Sequence, residues 1–89
     1  MFLHIGNGKS VKKKNIIGIF DLDAATVTKT GKDFINKSEK CGAVEYADYD
    51  LPRSFVLMDD RDGYKVLLSR ISSRGLRARL DEDIFEGEE

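Results

Sequence analysis

Ser54-Phe55-Val56-Leu57-Met58-Asp59-Asp60-Arg61-Asp62-Gly63-Tyr64-Lys65-Val66-Leu67-Leu68-Ser69 combines the densest apolar content of the chain with its clearest turn. Two apolar runs flank a charged tetrapeptide that closes on Asp62-Gly63. That pair suits positive φ, because glycine carries no Cβ and aspartate tolerates the left-handed region. An antiparallel hairpin is predicted. Phe55 to Met58 shows no polar alternation, so both of its faces are expected to be covered, as in an interior strand. The other elements should pack on it.

Outward from the hairpin, Asn15-Ile16-Ile17-Gly18-Ile19-Phe20-Asp21-Leu22 is the second strongly apolar run and predicts a strand, with Gly18 marking close approach of another backbone. Phe2 to Ile5 is a first strand, Gly6-Asn7-Gly8-Lys9 a tight turn, and Ser10-Val11 the start of its return. Lys12-Lys13-Lys14 falls at the far end of that return or in the next turn and must face solvent, because adjacent lysines repel and are costly to bury. Asp23 to Thr28 reads as a connection poor in helix formers, with Thr28 or Thr30 capping a helix. Val27, Gly31, Phe34, Ile35, Ser38 and Cys41 define one face of that helix, and Gly42 ends it. Ala43 to Tyr46 is a short edge strand and Asp48 to Pro52 a loop. After the hairpin, Ser72 or Ser73 caps a short helix over Arg74 to Leu80, with Leu76 and Leu80 as its apolar edge. The expected fold is α+β: a small, mainly antiparallel sheet of about five to six strands with one amphipathic helix and a short C-terminal helix.

The 89 residues suffice for one domain, read as residues 1–80, followed by an acidic, disordered tail over 81–89. A core this small gives marginal stability, which self-association would raise. One cysteine and one histidine cannot build a disulfide framework or a zinc site within a single chain. No basic leader and no apolar run near the roughly 20 residues of a membrane span is present, so a cytoplasmic protein without a membrane partner is expected. The net charge of −1 conceals an asymmetry: the tail holds six acids and no base, leaving residues 1–80 with fifteen bases against ten acids, a net of +5. A basic body attracts polyanions, and an acidic tail can lie across the same patch and compete with them.

Lys12, Lys13 and Lys14, with Lys9 nearby, form the main basic cluster. Cations on a strand end or turn offer a platform for a phosphate backbone, although solvated lysine clusters without that duty are common. Arg70, Arg74, Arg77 and Arg79 surround the last helix and suit phosphate, a neighbouring subunit or the acidic tail. His4, between Leu3 and Ile5, reads as a half-buried strand residue, and Cys41 as a buried structural thiol. Gly6-Asn7-Gly8-Lys9 lacks the spacing of a phosphate-binding loop, and Asp59, Asp60 and Asp62 lack the remainder of a calcium loop. Neither Asp21 and Asp23, nor Cys41, nor Ser72 and Ser73 has a partner group in a recognisable catalytic arrangement. No enzyme activity, cofactor, metal or small-molecule substrate is expected. Residue types alone lead to a small soluble α+β domain with a basic patch.

Phe2-Leu3-His4-Ile5-Gly6, Ile16-Ile17-Gly18-Ile19-Phe20-Asp21, Leu51-Pro52-Arg53-Ser54-Phe55-Val56 and Leu68-Ser69-Arg70-Ile71-Ser72-Ser73, with Leu76 and Arg79, together resemble the RemA/RemB family of bacterial extracellular matrix regulators, nearest its RemB branch. The resemblance covers residues 1–80. It implies a compact α/β protomer that assembles into a ring, which in the RemA branch binds promoter DNA through basic rim residues and activates biofilm-matrix and osmoprotection genes. Where that branch carries DNA-contacting arginines, this chain has Asn15, Asp50 and Leu51, so phosphate contact is expected to shift to Lys12, Lys13, Lys14 and Arg53. The function expected on this basis is that of a non-enzymatic, ring-forming regulator of transcription that binds double-stranded DNA. The alternative is an oligomeric protein-interaction scaffold that does not touch DNA, which Asp50 and the acidic tail favour.

Overall fold

The computed structural model describes residues 1–47, 51–61 and 63–86. The Asp48 to Asp50 part of the expected loop, Asp62 of the hairpin turn and the end of the acidic tail at 87–89 lie outside the described residues. The elements are β1 (Phe2–Gly6), β2 (Lys9–Lys12), a 3-10 turn (Lys13–Asn15), β3 (Ile16–Asp21), α1 (Leu22–Thr26), α2 (Lys29–Lys40), β4 (Val44–Tyr46), β5 (Ser54–Asp60), β6 (Gly63–Ser69) and α3 (Ser73–Glu86). Strands β3 to β6 form one sheet in the order β3-β5-β6-β4, while β1 and β2 form a separate two-stranded ribbon. All pairings are antiparallel except that of β4 with β6, so the fold is α+β as the sequence indicates.

The β5–β6 hairpin holds the two interior positions of the sheet, and its side chains alternate between two cores. On one side, Val56 and Leu67 pack with Leu3, Ile5 and Val11 of the ribbon and Leu76 of α3. On the other, Phe55, Val66 and Leu68 pack beneath α1 and α2 through Leu22, Ala25, Phe34 and Ile35. The molecule therefore has three layers: the ribbon with α3, the sheet, and α1 with α2. An unbroken apolar run is what a strand covered on both faces requires. Aromatic rings line the second core, with Phe20 stacked on Phe55 at 5.1 Å and Phe34 on Tyr64 at 5.7 Å between centroids.

Local chemistry explains the boundaries. Asn7 and Gly8, with φ of 50° and 76°, are the two central residues of the β1–β2 turn, the sign pattern of the tight turn whose twist matches the flanking strands. Thr28 caps α2 by accepting from the Gly31 amide at 3.0 Å, and Gly42 follows its end with φ of 75°. The Ser72 hydroxyl accepts from the Gly75 amide at 3.1 Å and opens α3.

Several expectations are corrected. Asp23 to Thr28, expected as a connection poor in helix formers, is largely helical: Asp21 Oδ1 accepts from the Asp23 and Ala24 amides at 2.9 and 3.2 Å and starts α1, and Val27 falls after its end instead of on α2. Gly31 then lets the two helices meet, since a Cβ there would stand 1.8 Å from the Ala25 carbonyl oxygen. What lies against Gly18 is the ring of Phe20, not another backbone. Cys41 is exposed, its thiol donating to the Lys37 carbonyl at 3.0 Å, because the end of α2 carries it past the core that holds Phe34 and Ile35. His4 is exposed rather than half-buried, and α3 continues beyond Leu80 to Glu86, where no glycine or proline interrupts it.

The ribbon is fastened to the sheet by one buried hydroxyl. β1 pairs His4 with Ser10 and then Gly6 with Lys9, leaving Ile5 as the extra residue of a bulge. Ser69, fully buried, donates its hydroxyl to the Ile5 carbonyl at 2.7 Å and accepts from the Ile71 amide at 3.1 Å. Ser69→Ala removes both partners at once and should lower the unfolding free energy by about 2 to 4 kcal/mol in urea denaturation at fixed protein concentration. A loss below about 0.5 kcal/mol would show that the fastening contributes little.

Candidate nucleic-acid interface

The lysine run sits where β2 ends. Lys12 closes the ribbon opposite Phe2, and Lys13 and Lys14 lie in the 3-10 turn that leads into β3. This turn is held in place: the Lys13 amide donates to the Met1 carbonyl at 3.0 Å, and the Lys13 ammonium reaches the Leu80 carbonyl of α3 at 3.4 Å. Lys12 and Lys14 are exposed while Lys13 is half-buried. Met1, Phe2 and the three lysines line one shallow depression of about 370 Å³. Two solvent-facing cations beside an apolar floor, on backbone fixed by hydrogen bonds, form a surface on which a phosphate chain can rest without ordering a loop.

The structure does not bring Arg53 to this cluster. Arg53 is exposed and its backbone is anchored at both ends, its amide to the Ser69 carbonyl and its carbonyl to the Leu22 amide. It thus lies beside the Asp21 end of β3, whereas Lys14 precedes the Ile16 end. The length of that strand, about 17 Å at the usual rise, separates the two positions. Lys9 is also withdrawn from the cluster, for its ammonium pairs with the Glu45 carboxylate on β4, and Lys65 joins the same carboxylate at 3.4 Å. Among the arginines of α3, Arg77 donates to the Ile19 carbonyl and Arg79 to the His4 carbonyl, the latter at 3.1 Å. These two stitch α3 to β3 and β1.

At the positions of the expected departures, Asn15 shares a depression with Asp59, Asp60 and Arg61, and Leu51 is 87 % exposed. Asp50 lies outside the described residues. The carboxylates beside Asn15 make that corner less hospitable to phosphate. Sequence reasoning missed the placement of Phe2, which is 55 % exposed beside the lysines. The alternation with Leu3 and Ile5 is the signal that points it outward. Among the described residues no group of three or more His, Cys, Asp or Glu side chains is arranged to hold a metal ion, and no helix is long and apolar enough to cross a membrane.

A model of the RemA-like family, described as extracellular matrix regulatory protein A-like, matches residues 2–80. No curated protein matches the chain.

The Lys9 ammonium, followed by Lys65, holds the Glu45 carboxyl below the ordinary carboxylate value against the opposing effect of partial burial. A lowered folded-state pKa stabilises the fold above the unfolded value of 4.5, and that contribution is lost as pH falls through the folded value. Thermal denaturation from pH 7 down to pH 3 should therefore show Glu45→Gln less stable than the wild type at neutral pH by less than about 1 kcal/mol, the pair being partly exposed. The two should converge in acid, and a gap that widens on acidification would contradict the assignment.

Proposed function

The chain belongs to the RemA-like family of extracellular matrix regulatory proteins, and from that membership we propose a non-enzymatic transcriptional regulator that assembles into a ring and binds double-stranded DNA, nearest the RemB branch of the family and acting in the cytoplasm. The observation that carries the reading is the run Lys12, Lys13, Lys14 on a turn held by the Met1 and Leu80 carbonyls. Each protomer contributes few cations at this patch, so the affinity of one copy through it is low. A ring repeats the patch by symmetry and turns several weak contacts into one strong attachment. Lys12 and Lys14 neutralise phosphates directly. Lys13 fixes the turn as well as adding charge, and Arg53 meets the backbone at a separate point.

A second reading, a ring scaffold for an acidic protein partner, is favoured by Leu51 and by Asn15 among Asp59, Asp60 and Arg61, at positions where the resemblance implies arginine.

Lys12→Ala/Lys14→Ala, which spares the structural Lys13, should weaken duplex binding and flatten the dependence of log affinity on log salt by about 0.9 for every phosphate that is no longer neutralised. Arg53→Ala should flatten it independently. Fluorescence anisotropy at several salt concentrations, with native mass followed by light scattering, measures both. An unchanged slope in all variants, or a nuclease-treated ring that ignores DNA at low salt, favours the scaffold.

A further inference from the structure

Resting on the DNA-binding reading above, we propose that the outer face of the β1–β2 ribbon enters the major groove and reads base edges, with His4 and Ser10 as hydrogen-bonding groups, Phe2 as the apolar contact and Lys12 on the flanking phosphate.

The ribbon has two unlike faces. Leu3, Ile5 and Val11 point into the core, the first two with no exposure and Val11 with 7 %. Phe2, His4, Ser10 and Lys12 are exposed. They form two consecutive cross-strand pairs, Phe2 with Lys12 and His4 with Ser10. Directly paired residues have Cβ atoms about 5 Å apart, so these four side chains make one patch: an aromatic ring beside an ammonium, then an imidazole beside a hydroxyl. None is acidic.

This combination selects its occupant. A simple anion would engage Lys12 and leave the Phe2 ring in water. An apolar partner would cover Phe2 but would have to desolvate Lys12 and Lys14 without compensation. Duplex DNA meets both demands, because phosphates border the groove while its floor offers hydrogen-bonding edges and the thymine methyl group, a favoured contact of phenylalanine. The dimensions agree, since two strands about 4.8 Å apart fit a groove about 12 Å wide. The ribbon is also stiff enough to read: the Ser69 hydroxyl holds the Ile5 carbonyl from below at 2.7 Å, and Arg79 of α3 holds the His4 carbonyl at 3.1 Å. A base-reading element must be positioned in this way, because mobile side chains on mobile backbone discriminate poorly.

The test compares the full-length wild type with His4→Ala/Ser10→Ala, Phe2→Ala and Lys12→Ala/Lys14→Ala. The probes are duplexes enriched from a randomised 30-base-pair library by the wild type, random duplexes, the enriched duplex with uracil in place of thymine, and inorganic polyphosphate. The ratio of affinities for enriched over random duplex should fall about ten-fold or more in His4→Ala/Ser10→Ala, with the salt slope and polyphosphate binding unchanged. Phe2→Ala should abolish the preference for thymine over uracil that the wild type shows. The lysine variant should do the opposite, losing salt slope while keeping the ratio. Since all four ribbon side chains are exposed, native mass and melting temperature should stay at their wild-type values. A wild type that binds DNA without enriching any sequence, or ribbon variants that keep the ratio, would overturn the inference and leave the DNA-binding reading intact. A drop in native mass in the ribbon variants would overturn it in favour of a contact between copies. A wild type that binds no duplex at low salt would overturn both.

Discussion

One buried hydroxyl ties the ribbon and the start of α3 to the sheet. Ser69 closes β6, and its side chain reaches the Ile5 carbonyl in the bulge of β1 on one side and the Ile71 amide ahead of α3 on the other. Its cross-strand partner Ser54, equally buried, donates to the Ile71 carbonyl at 2.6 Å. Two serines opposite one another at the end of the central hairpin thus satisfy both backbone groups of Ile71 and bond the carbonyl of Ile5, the extra residue of the bulge. Buried backbone polar groups must be paired somewhere. Here the pairing sets the position of the ribbon on the sheet and the point from which α3 departs. Ser72 then caps the helix. Ser54, Ser69, Ile71 and Ser72, which lie in the Leu-Pro-Arg-Ser and Leu-Ser-Arg-Ile-Ser-Ser segments that carry the family resemblance, are therefore fastenings of the fold.

This division explains what is legible in the sequence. The central hairpin, the β3 strand, the Asn-Gly turn, the Thr28 cap and the amphipathic face of α2 all follow from local chemistry, and all are present. Helix α1 is not legible as a helix because it is too short for periodicity to show, although Asp21 two residues before Asp23 carries the capping signal. Cys41 and Val27 keep the spacing of the α2 stripe, yet both are exposed, Val27 at 80 %, because Val27 falls at the junction of α1 and α2 and Cys41 at the end of α2. Spacing reports a face and not how far the opposing layer extends. Gly18 is legible as a place of close approach, but the approaching group, the ring of Phe20, depends on side-chain packing.

The candidate surface is legible in part for the same reason. A run of three lysines is visible in any reading of the chain, and so is a set of arginines near the last helix. Their tertiary partners are not. Lys9 pairs with a carboxylate thirty-six residues away, and Arg77 and Arg79 pair with carbonyls fifty-eight and seventy-five residues away. Those contacts tie the three side chains to particular places in the fold and add cohesion between its layers, although Arg77 and Arg79 stay exposed. Lys12 and Lys14 remain exposed, and so does Arg53, beyond the length of β3.

Such a sparse patch bears on how the protein would act. With two exposed lysines at the ribbon and one arginine apart from them, a single copy releases few counterions and holds DNA weakly at physiological salt. Repeating phosphate contacts raises affinity but adds no discrimination, because those contacts carry no sequence information. Discrimination must come from DNA shape or from groups that reach base edges. The outer face of the ribbon sets the hydrogen-bonding side chains of His4 and Ser10 and the apolar ring of Phe2 beside Lys12 on backbone held from below. In a ring that array recurs at fixed intervals, so a modest preference per copy multiplies along a bound duplex. In the proposed ring, weak phosphate contacts would then be an advantage, since they would leave repeated base contacts, rather than charge, to decide where the ring settles.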